Sequence, residues 1–339
     1  MPIAEFNNIY DGFTVGMRAY NIALLRKQFN YKIAPKYSFR SKSLTGAASA
    51  SMTHNLENNN LFFLNYGIRT SYTSYAEGLF VRQITPSLTF MFREDDDFRS
   101  NKRQLLVFRY VDIHRDKDLS NPLTSNEPNY AVFNARYINS DDNLIDFNKW
   151  YLDFQAARRF SKISFNYEYR KLFESNRQLN LRFFAGTFIE NNNDKNSDYF
   201  SFALDRPTDY LFDYAYLGRS EDSGIFSQQY IDAEGGFKSM LETPFANQWM
   251  TTLNTSTTLW KYVLAYGDVG FVKNKHFDPK FVYDSGIRIN LVIDYFEVYF
   301  PIYSNLGWEI GQPNYDQRIR FKFTVDPESL LGLFRRRWF

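Results

Sequence analysis

The sequence contains few residues whose type and spacing would support catalysis. Its three histidines are His54, His114 and His276, and none lies in an H-E-x-x-H motif, which would place two zinc ligands and a general base on one helix. The G-x-S-x-G nucleophile turn and the G-x-x-x-x-G-K-[ST] phosphate loop are also missing. We therefore predict no catalytic residue, no metal site and no cofactor in this chain, and we expect that it is not an enzyme.

Two weaker arrangements do not change this prediction. Ser51 and His54 lie three residues apart on a predicted strand, so their side chains point to opposite faces and cannot form a catalytic pair. The acidic run at 94–97 has the oxygen ligands that a calcium ion prefers, but a solvated loop is the favoured interpretation.

Alternation of apolar and polar residues is the strongest pattern in the chain. It is clearest at 163–170, 287–291 and 319–324, where every second residue is large and apolar. Such a pattern predicts strands with one apolar face and one polar face. A soluble β-sandwich has such strands, and so does a membrane β-barrel with lipid outside and an aqueous lumen inside.

If the barrel interpretation holds, the polar residues of these strands face the lumen. The predicted lumen-facing residues are Asn134, Arg136, Asp153, Gln155, Ser164, Asn166, Glu168, Arg170, Arg288, Asn290, Arg320 and Lys322. They carry both signs of charge. In a narrow lumen such charges pair and close the passage, whereas a wide lumen keeps them solvated. We favour the packed interior over a role in transport.

Composition favours the membrane interpretation. Aromatic residues make up 19% of the 339 residues, yet mean hydropathy is −0.47. The sequence has no run of 18 or more apolar residues, which argues against a membrane protein built from helices. A barrel needs apolar residues only at alternate positions, with Tyr and Trp at the two interfaces.

Charge and cysteine content exclude other classes. The chain has 40 basic and 38 acidic residues, a net charge of +2, so we predict no nucleic-acid partner. It has no cysteine and hence no disulfide framework. Residues 1–6 lack the basic and apolar regions of a signal peptide. We expect a fragment whose export signal lies upstream, located in a Gram-negative outer membrane with the lipid bilayer as its main partner.

Many predicted strands have ten or more residues, the length that crosses a bilayer at a tilt. We predict an all-β, antiparallel transmembrane β-barrel of about 16 strands, with 12 to 16 as the range. The predicted strands are 12–21, 29–39, 44–55, 61–73, 82–92, 104–114, 129–138, 147–158, 163–172, 179–189, 227–239, 248–260, 262–273, 282–293, 295–303 and 317–325.

The predicted domain organisation has two parts. Residues 1–325 form the barrel, in which 190–226 is either a long loop, folded over or into the pore, or an extra hairpin. Residues 326–339 form a short tail, which is either interfacial, because basic residues beside tryptophan are common where headgroups meet hydrocarbon, or packed under the mouth of the barrel. The tail residues are Arg335, Arg336, Arg337, Trp338 and Phe339.

Several short phrases resemble the C-terminal barrel region of large envelope proteins related to M1-family metallopeptidases. They are N-I-Y-D-G-F-T-V-G at 8–16, A-P-K-Y-S-F at 34–39 followed by S-K-S-L-T-G at 41–46, Y-L-F-D at 210–213 followed by L-G-R-S-E at 217–221, N-Y-D at 314–316 and R-I-R-F at 318–321. The resemblance implies a barrel preceded by a zinc aminopeptidase-like domain. No position here matches the zinc ligands of that domain.

The leading functional hypothesis is therefore a membrane anchor or display domain for an upstream peptidase-like domain or another envelope protein. A pore or transporter is the first alternative, and a soluble all-β binding protein is the second.

Overall fold

The computed structural model describes residues 1–21, 27–56, 60–93, 100–118, 129–193, 199–206, 208–214, 224–292 and 296–323. Within them are twenty strands and two 3₁₀ helices, Ile225–Gln228 and Tyr315–Arg318. No helix in this part of the chain is long and apolar enough to cross a membrane. The strands are β1 Pro2–Phe6, β2 Phe13–Met17, β3 Ala19–Tyr20, β4 Phe29–Ser38, β5 Leu44–Asn55, β6 Leu61–Ala76, β7 Leu79–Phe92, β8 Lys102–Arg115, β9 Asn129–Asp142, β10 Asp146–Ala157, β11 Phe160–Leu172, β12 Gln178–Asn191, β13 Phe202–Ala203, β14 Phe245–Ala246, β15 Trp249–Trp260, β16 Val263–Lys273, β17 Lys280–Val292, β18 Phe296–Ser304, β19 Gly307–Trp308 and β20 Arg320–Phe323.

Eighteen of these strands form one antiparallel sheet in which chain neighbours pair, and β13 and β14 form a separate two-stranded sheet. The eighteen strands occupy sixteen positions, because β2 and β3 share one edge of β4 and β19 and β20 share one edge of β18. The predicted all-β antiparallel fold of about 16 strands is confirmed. No backbone pairing joins β1 to β20 in the described part of the chain.

The agreement in strand number hides two differences. Strand β1 was not predicted, and the strand predicted at 227–239 is wrong. That segment begins in a 3₁₀ helix and then passes through Gly235 and Gly236, of which Gly236 has φ +74°. The Gly235 and Phe237 amides donate to the carbonyls of Ala203 and Leu204, and the pairing of this segment with the main sheet is one isolated bridge between Gln229 and Phe321 of β20.

The sheet rolls around the long connection between β12 and β15. The connection spans residues 192–248, and its described residues, 192–193, 199–206, 208–214 and 224–248, are called the insertion below. Strand β7 reaches it through Gln83, whose amide donates to the Leu211 carbonyl at 3.0 Å. Strand β20 reaches it through Lys322, whose Nζ lies 2.6 Å from Asp232 Oδ2. Strands so far apart in the ladder can contact one segment only if the sheet curves around it.

The rolled sheet has two rims. The turns at 39–43, 77–78 and 158–159 mark the rim from which the insertion enters, called the insertion rim. The turns at 143–145, 173–177 and 261–262 mark the opposite rim. The two larger apolar clusters lie near the insertion rim, where they join wall residues near the last residues of β8 and β16 and the start of β11 to the insertion.

Candidate functional site: the polar interior

Away from the apolar clusters at the insertion rim, the sheet is polar on its buried face and apolar on its exposed face. Asn254 is 7% exposed while its neighbour Leu253 is 40% exposed, and Asp268 is 0% exposed while Val269 is 42% exposed. Ordinary soluble proteins bury the apolar member of such pairs. Further large apolar side chains on the exposed face are Phe133, Leu152, Ile163, Phe183, Phe271 and Phe281.

Four of the residues predicted to face the lumen form one network on β9 and β10. Asp153, which is buried, accepts hydrogen bonds from Asn134 Nδ2 at 2.9 Å and from Gln155 Nε2 at 2.9 Å. Arg136 Nε donates to the same carboxylate at 2.5 Å. Gln155 also accepts the hydroxyl proton of Tyr210, which comes from the insertion. The network therefore satisfies the Asp153 charge and ties the wall to the insertion.

The four residues on β11 are placed on the same face. Asn166 is fully buried and donates from Nδ2 to Glu168 Oε1 at 2.9 Å. Ser164 lines a small cavity beside the insertion. The Arg170 guanidinium lies 5.1 Å from the ring centre of Phe147 and has no carboxylate within 4 Å among the described residues. These positions alternate with the exposed residues of the strand.

The last four predicted residues lie on β17 and β20. Arg288 Nε donates to Asn290 Oδ1 at 2.8 Å, and its Nη2 forms an ion pair with Glu297. Arg320 Nη1 donates to the Ser227 carbonyl at 3.0 Å, while Lys322 pairs with Asp232 at 2.6 Å. Both β20 residues therefore bind the insertion.

Two predicted features lie outside the described residues. The interfacial tail at 326–339, including Arg335, Arg336, Arg337, Trp338 and Phe339, is one of them. The acidic run at 94–97 is the other. Among the residues that are described, no group of three or more His, Asp or Glu side chains is placed to hold a metal ion.

Sequence reasoning missed the residues that hold the centre of the insertion. Lys238 Nζ lies 2.9 Å from Asp268 Oδ2, and its backbone amide donates to Asp284 Oδ2 at 2.7 Å. Asp268 and Asp284 face each other in the register of β16 and β17 and are both buried. The two aspartates occupy inward positions, a signal available in the sequence. The sequence could not identify Lys238 as their partner, because Lys238 lies on irregular backbone where alternation does not predict the direction of a side chain.

Arg182 was also missed, although it occupies an inward position of β12. Its Nε donates to Asn166 Oδ1 at 2.8 Å and its Nη1 donates to the Ala233 carbonyl at 3.0 Å. The insertion comes very close here, since a Cβ on Gly236 would lie 2.7 Å from Arg182 Nη1 and 2.6 Å from Asn254 Oδ1. With its positive φ, Gly236 allows a contact that a side chain would block.

The insertion fills the half of the interior near the insertion rim with apolar side chains. In one cluster, Phe202, Leu204 and Phe237 of the insertion pack against wall residues that include Phe184 and Val272. A second cluster is formed by insertion residues Phe200, Tyr210 and Leu211 and by wall residues Val81, Val111, Ile113, Val132 and Phe160. This half of the interior is packed like the core of a soluble domain.

Ionisable groups of the insertion respond to this enclosure. Burial raises the pKa of Tyr210 and of Tyr230 well above the usual value for a phenol. Burial also raises the pKa of Asp205, against the opposing charge of Arg320. For Asp232, burial acts in the same direction, but the charges of Lys322 and Arg182 outweigh it and lower the pKa. Asp232 is therefore ionised at neutral pH.

Two cavities lie beside the insertion. The larger has a volume of about 580 Å³ and reaches toward the opposite rim, where Phe147 and Gln178 near the starts of β10 and β12 line it. The smaller has a volume of about 200 Å³. Tyr151, Arg182 and Asp232 line both cavities and form the boundary between them.

Comparisons with known proteins give little further information. No protein family model matches the chain, and no curated protein matches it. Among solved structures, it is similar to BamA from Haemophilus ducreyi lacking POTRA domains 1–3, with a TM-score of 0.48 and 10% sequence identity. The similarity covers 90% of this chain and 65% of that one.

Proposed function

We propose that this chain is an outer-membrane β-barrel that serves as a membrane anchor, with its buried polar face lining a lumen that the insertion closes. One observation carries the membrane assignment. Large apolar side chains are exposed on the outer face of the sheet, while Asp153, Asp268 and other charged groups are buried inside. In water this arrangement would be unfavourable, whereas in a bilayer it matches hydrocarbon outside and a polar interior.

Two kinds of contact support closure of the lumen. Near the insertion rim, aromatic residues such as Phe202 and Phe237 pack against apolar residues of the wall. Further inside, Lys238 and Asp232 form ion pairs with Asp268 on β16 and Lys322 on β20. A segment held by both kinds of contact on several strands is a plug that forms part of the folded barrel.

Detergent dependence tests the membrane assignment. We expect the purified chain to be monodisperse in detergent micelles and to aggregate in plain buffer, because the exposed apolar face needs a covering. A monodisperse protein in plain buffer would contradict the proposal and favour a soluble all-β binding protein.

Conductance in planar bilayers tests the closed lumen. We expect the full chain to be silent, and a variant with residues 199–241 replaced by a short Gly-Ser linker to give open steps. Heat-dependent mobility on a denaturing gel would show that the variant is folded. If the variant does not fold, dye release from vesicles that contain the full chain tests the closed lumen instead. Open steps or dye release with the full chain would favour a pore.

The association with a peptidase-like domain stays a prediction, which depends on the short sequence segments that resemble the metallopeptidase-related envelope proteins. A reading frame that places an H-E-x-x-H domain directly upstream of Met1 would support it. The isolated chain should show no aminopeptidase activity, and activity that is lost on chelation would contradict the anchor role.

A further inference from the structure

We infer that the larger cavity is a binding site for a small polar molecule that carries a carboxylate or phosphate group. The cavity volume of about 580 Å³ lies within the range of small-molecule sites, which is roughly 300–1,000 Å³. Its lining combines tyrosine rings, amide groups and guanidinium groups, which together can contact a polar solute and hold an anion.

The charges of the lining set the class of ligand. Five basic and three acidic residues line the cavity. Three of the basic residues already have carboxylate partners: Lys238 pairs with Asp268, Arg288 with Glu297 and Lys322 with Asp232. The remaining two basic residues are Arg170 and Arg182.

Neither of these two arginines has a carboxylate within 4 Å among the described residues. Arg182 uses Nε and Nη1 for Asn166, Asn254 and the Ala233 carbonyl, which leaves its Nη2 without a protein acceptor in the described structure. The Arg170 guanidinium lies over the ring of Phe147 and has no hydrogen bond or ion pair to a described side chain. Both guanidinium groups line the cavity, and their unused donors are suited to an anion from solution.

The two guanidinium groups can act on one ligand. Arg170 faces Asn180 in the register of β11 and β12, and Arg182 lies two residues further along the same face of β12. Such diagonal positions are about 7–8 Å apart, within the reach of two long side chains. A carboxylate or phosphate between them would accept charge-assisted hydrogen bonds from both.

One acidic residue opposes this binding. Glu168 faces Arg182 in the register but accepts a hydrogen bond from Asn166 Nδ2 instead of pairing with the arginine within 4 Å. Its negative charge lies in the cavity lining, where it repels a bound anion. Removing that charge should therefore strengthen binding, an effect opposite in sign to removal of either arginine.

Titration calorimetry on the full chain in detergent tests the site with four probes: D-glucuronate, glucose 6-phosphate, inorganic phosphate and neutral glucose. We expect the anionic sugars to bind and glucose to bind much more weakly. Binding of glucose 6-phosphate and phosphate without glucuronate would assign the site to phosphate, and binding of glucuronate alone would assign it to carboxylate.

Three substitutions and one control substitution then distinguish a built site from solvated arginines. Arg170→Gln and Arg182→Gln should each weaken binding about tenfold, the effect of losing one charge-assisted contact. Glu168→Gln should strengthen it about threefold. Arg177→Gln, which removes an exposed charge from the turn at the same rim, should change nothing. The inference fails if no anion binds, if glucose binds equally well, or if Arg177→Gln has the same effect as the other two arginine substitutions.

Discussion

The half of the interior near the insertion rim is packed with aromatic and aliphatic side chains, whereas the half near the opposite rim is a charged cavity. Adjacent residues of the insertion serve the two halves, because Phe237 packs in the apolar cluster and Lys238 binds Asp268. The insertion is therefore held in place by two independent forces. Apolar packing excludes water without directional contacts, while buried ion pairs fix the position of the backbone.

Phe237→Ala should have the largest effect. Phe237 is fully buried, and loss of a core phenylalanine costs about 3–5 kcal/mol, so the free energy of unfolding should fall by about that amount. Denaturant titration in detergent measures it, and added salt should leave the loss unchanged. Phe281→Ala is the control, because that ring lies on the exposed outer face. Equal losses in the two variants would contradict a packed plug.

Lys238→Met should have the next largest effect, about 3 kcal/mol, because it leaves buried carboxylates without their cation. Asp268 and Asp284 are both buried, so one of them would have to take up a proton. Stability of this variant should therefore recover as pH falls. The double variant Lys238→Met with Asp268→Asn should be more stable than the single one. A pH-independent loss that Asp268→Asn does not relieve would show that the lysine acts through packing alone.

Asp232→Asn should have the smallest effect, below about 1 kcal/mol at neutral pH, because the pair with Lys322 is open to the cavity. The pKa of Asp232 is lowered in the folded protein. Its ionised carboxylate therefore stabilises the fold at pH values above the pKa of an unfolded aspartate, about 3.9, and this stabilisation is lost as the pH falls below that value. The unfolding free energies of variant and parent should thus converge at acid pH. Lys322→Gln should weaken this pH dependence.

The wall of the molecule could be predicted from sequence because alternation determines which side chains share a face. Positions such as Asp153 and Asn166 follow directly from the two-residue period of a strand. The contacts of the insertion could not be predicted. The alternation of Tyr230 and Asp232 resembles that of a strand. Their partners, Tyr299 on β18 and Lys322 on β20, are distant in the sequence, and the alternation does not identify them. Arg182 lies between these two cases. Alternation predicts that its side chain points inward, but it does not predict that the side chain lacks a carboxylate partner.

The insertion leaves the sheet after β12 and returns at β15, and these two strands pair directly with each other. The ladder is thus continuous without it, and no register between other strands depends on its length. Loop-closure cost grows only slowly with the number of residues, so longer or shorter replacements carry little penalty from chain entropy. This junction is where evolution, or an engineer, can exchange one insertion for another while the surrounding sheet stays the same.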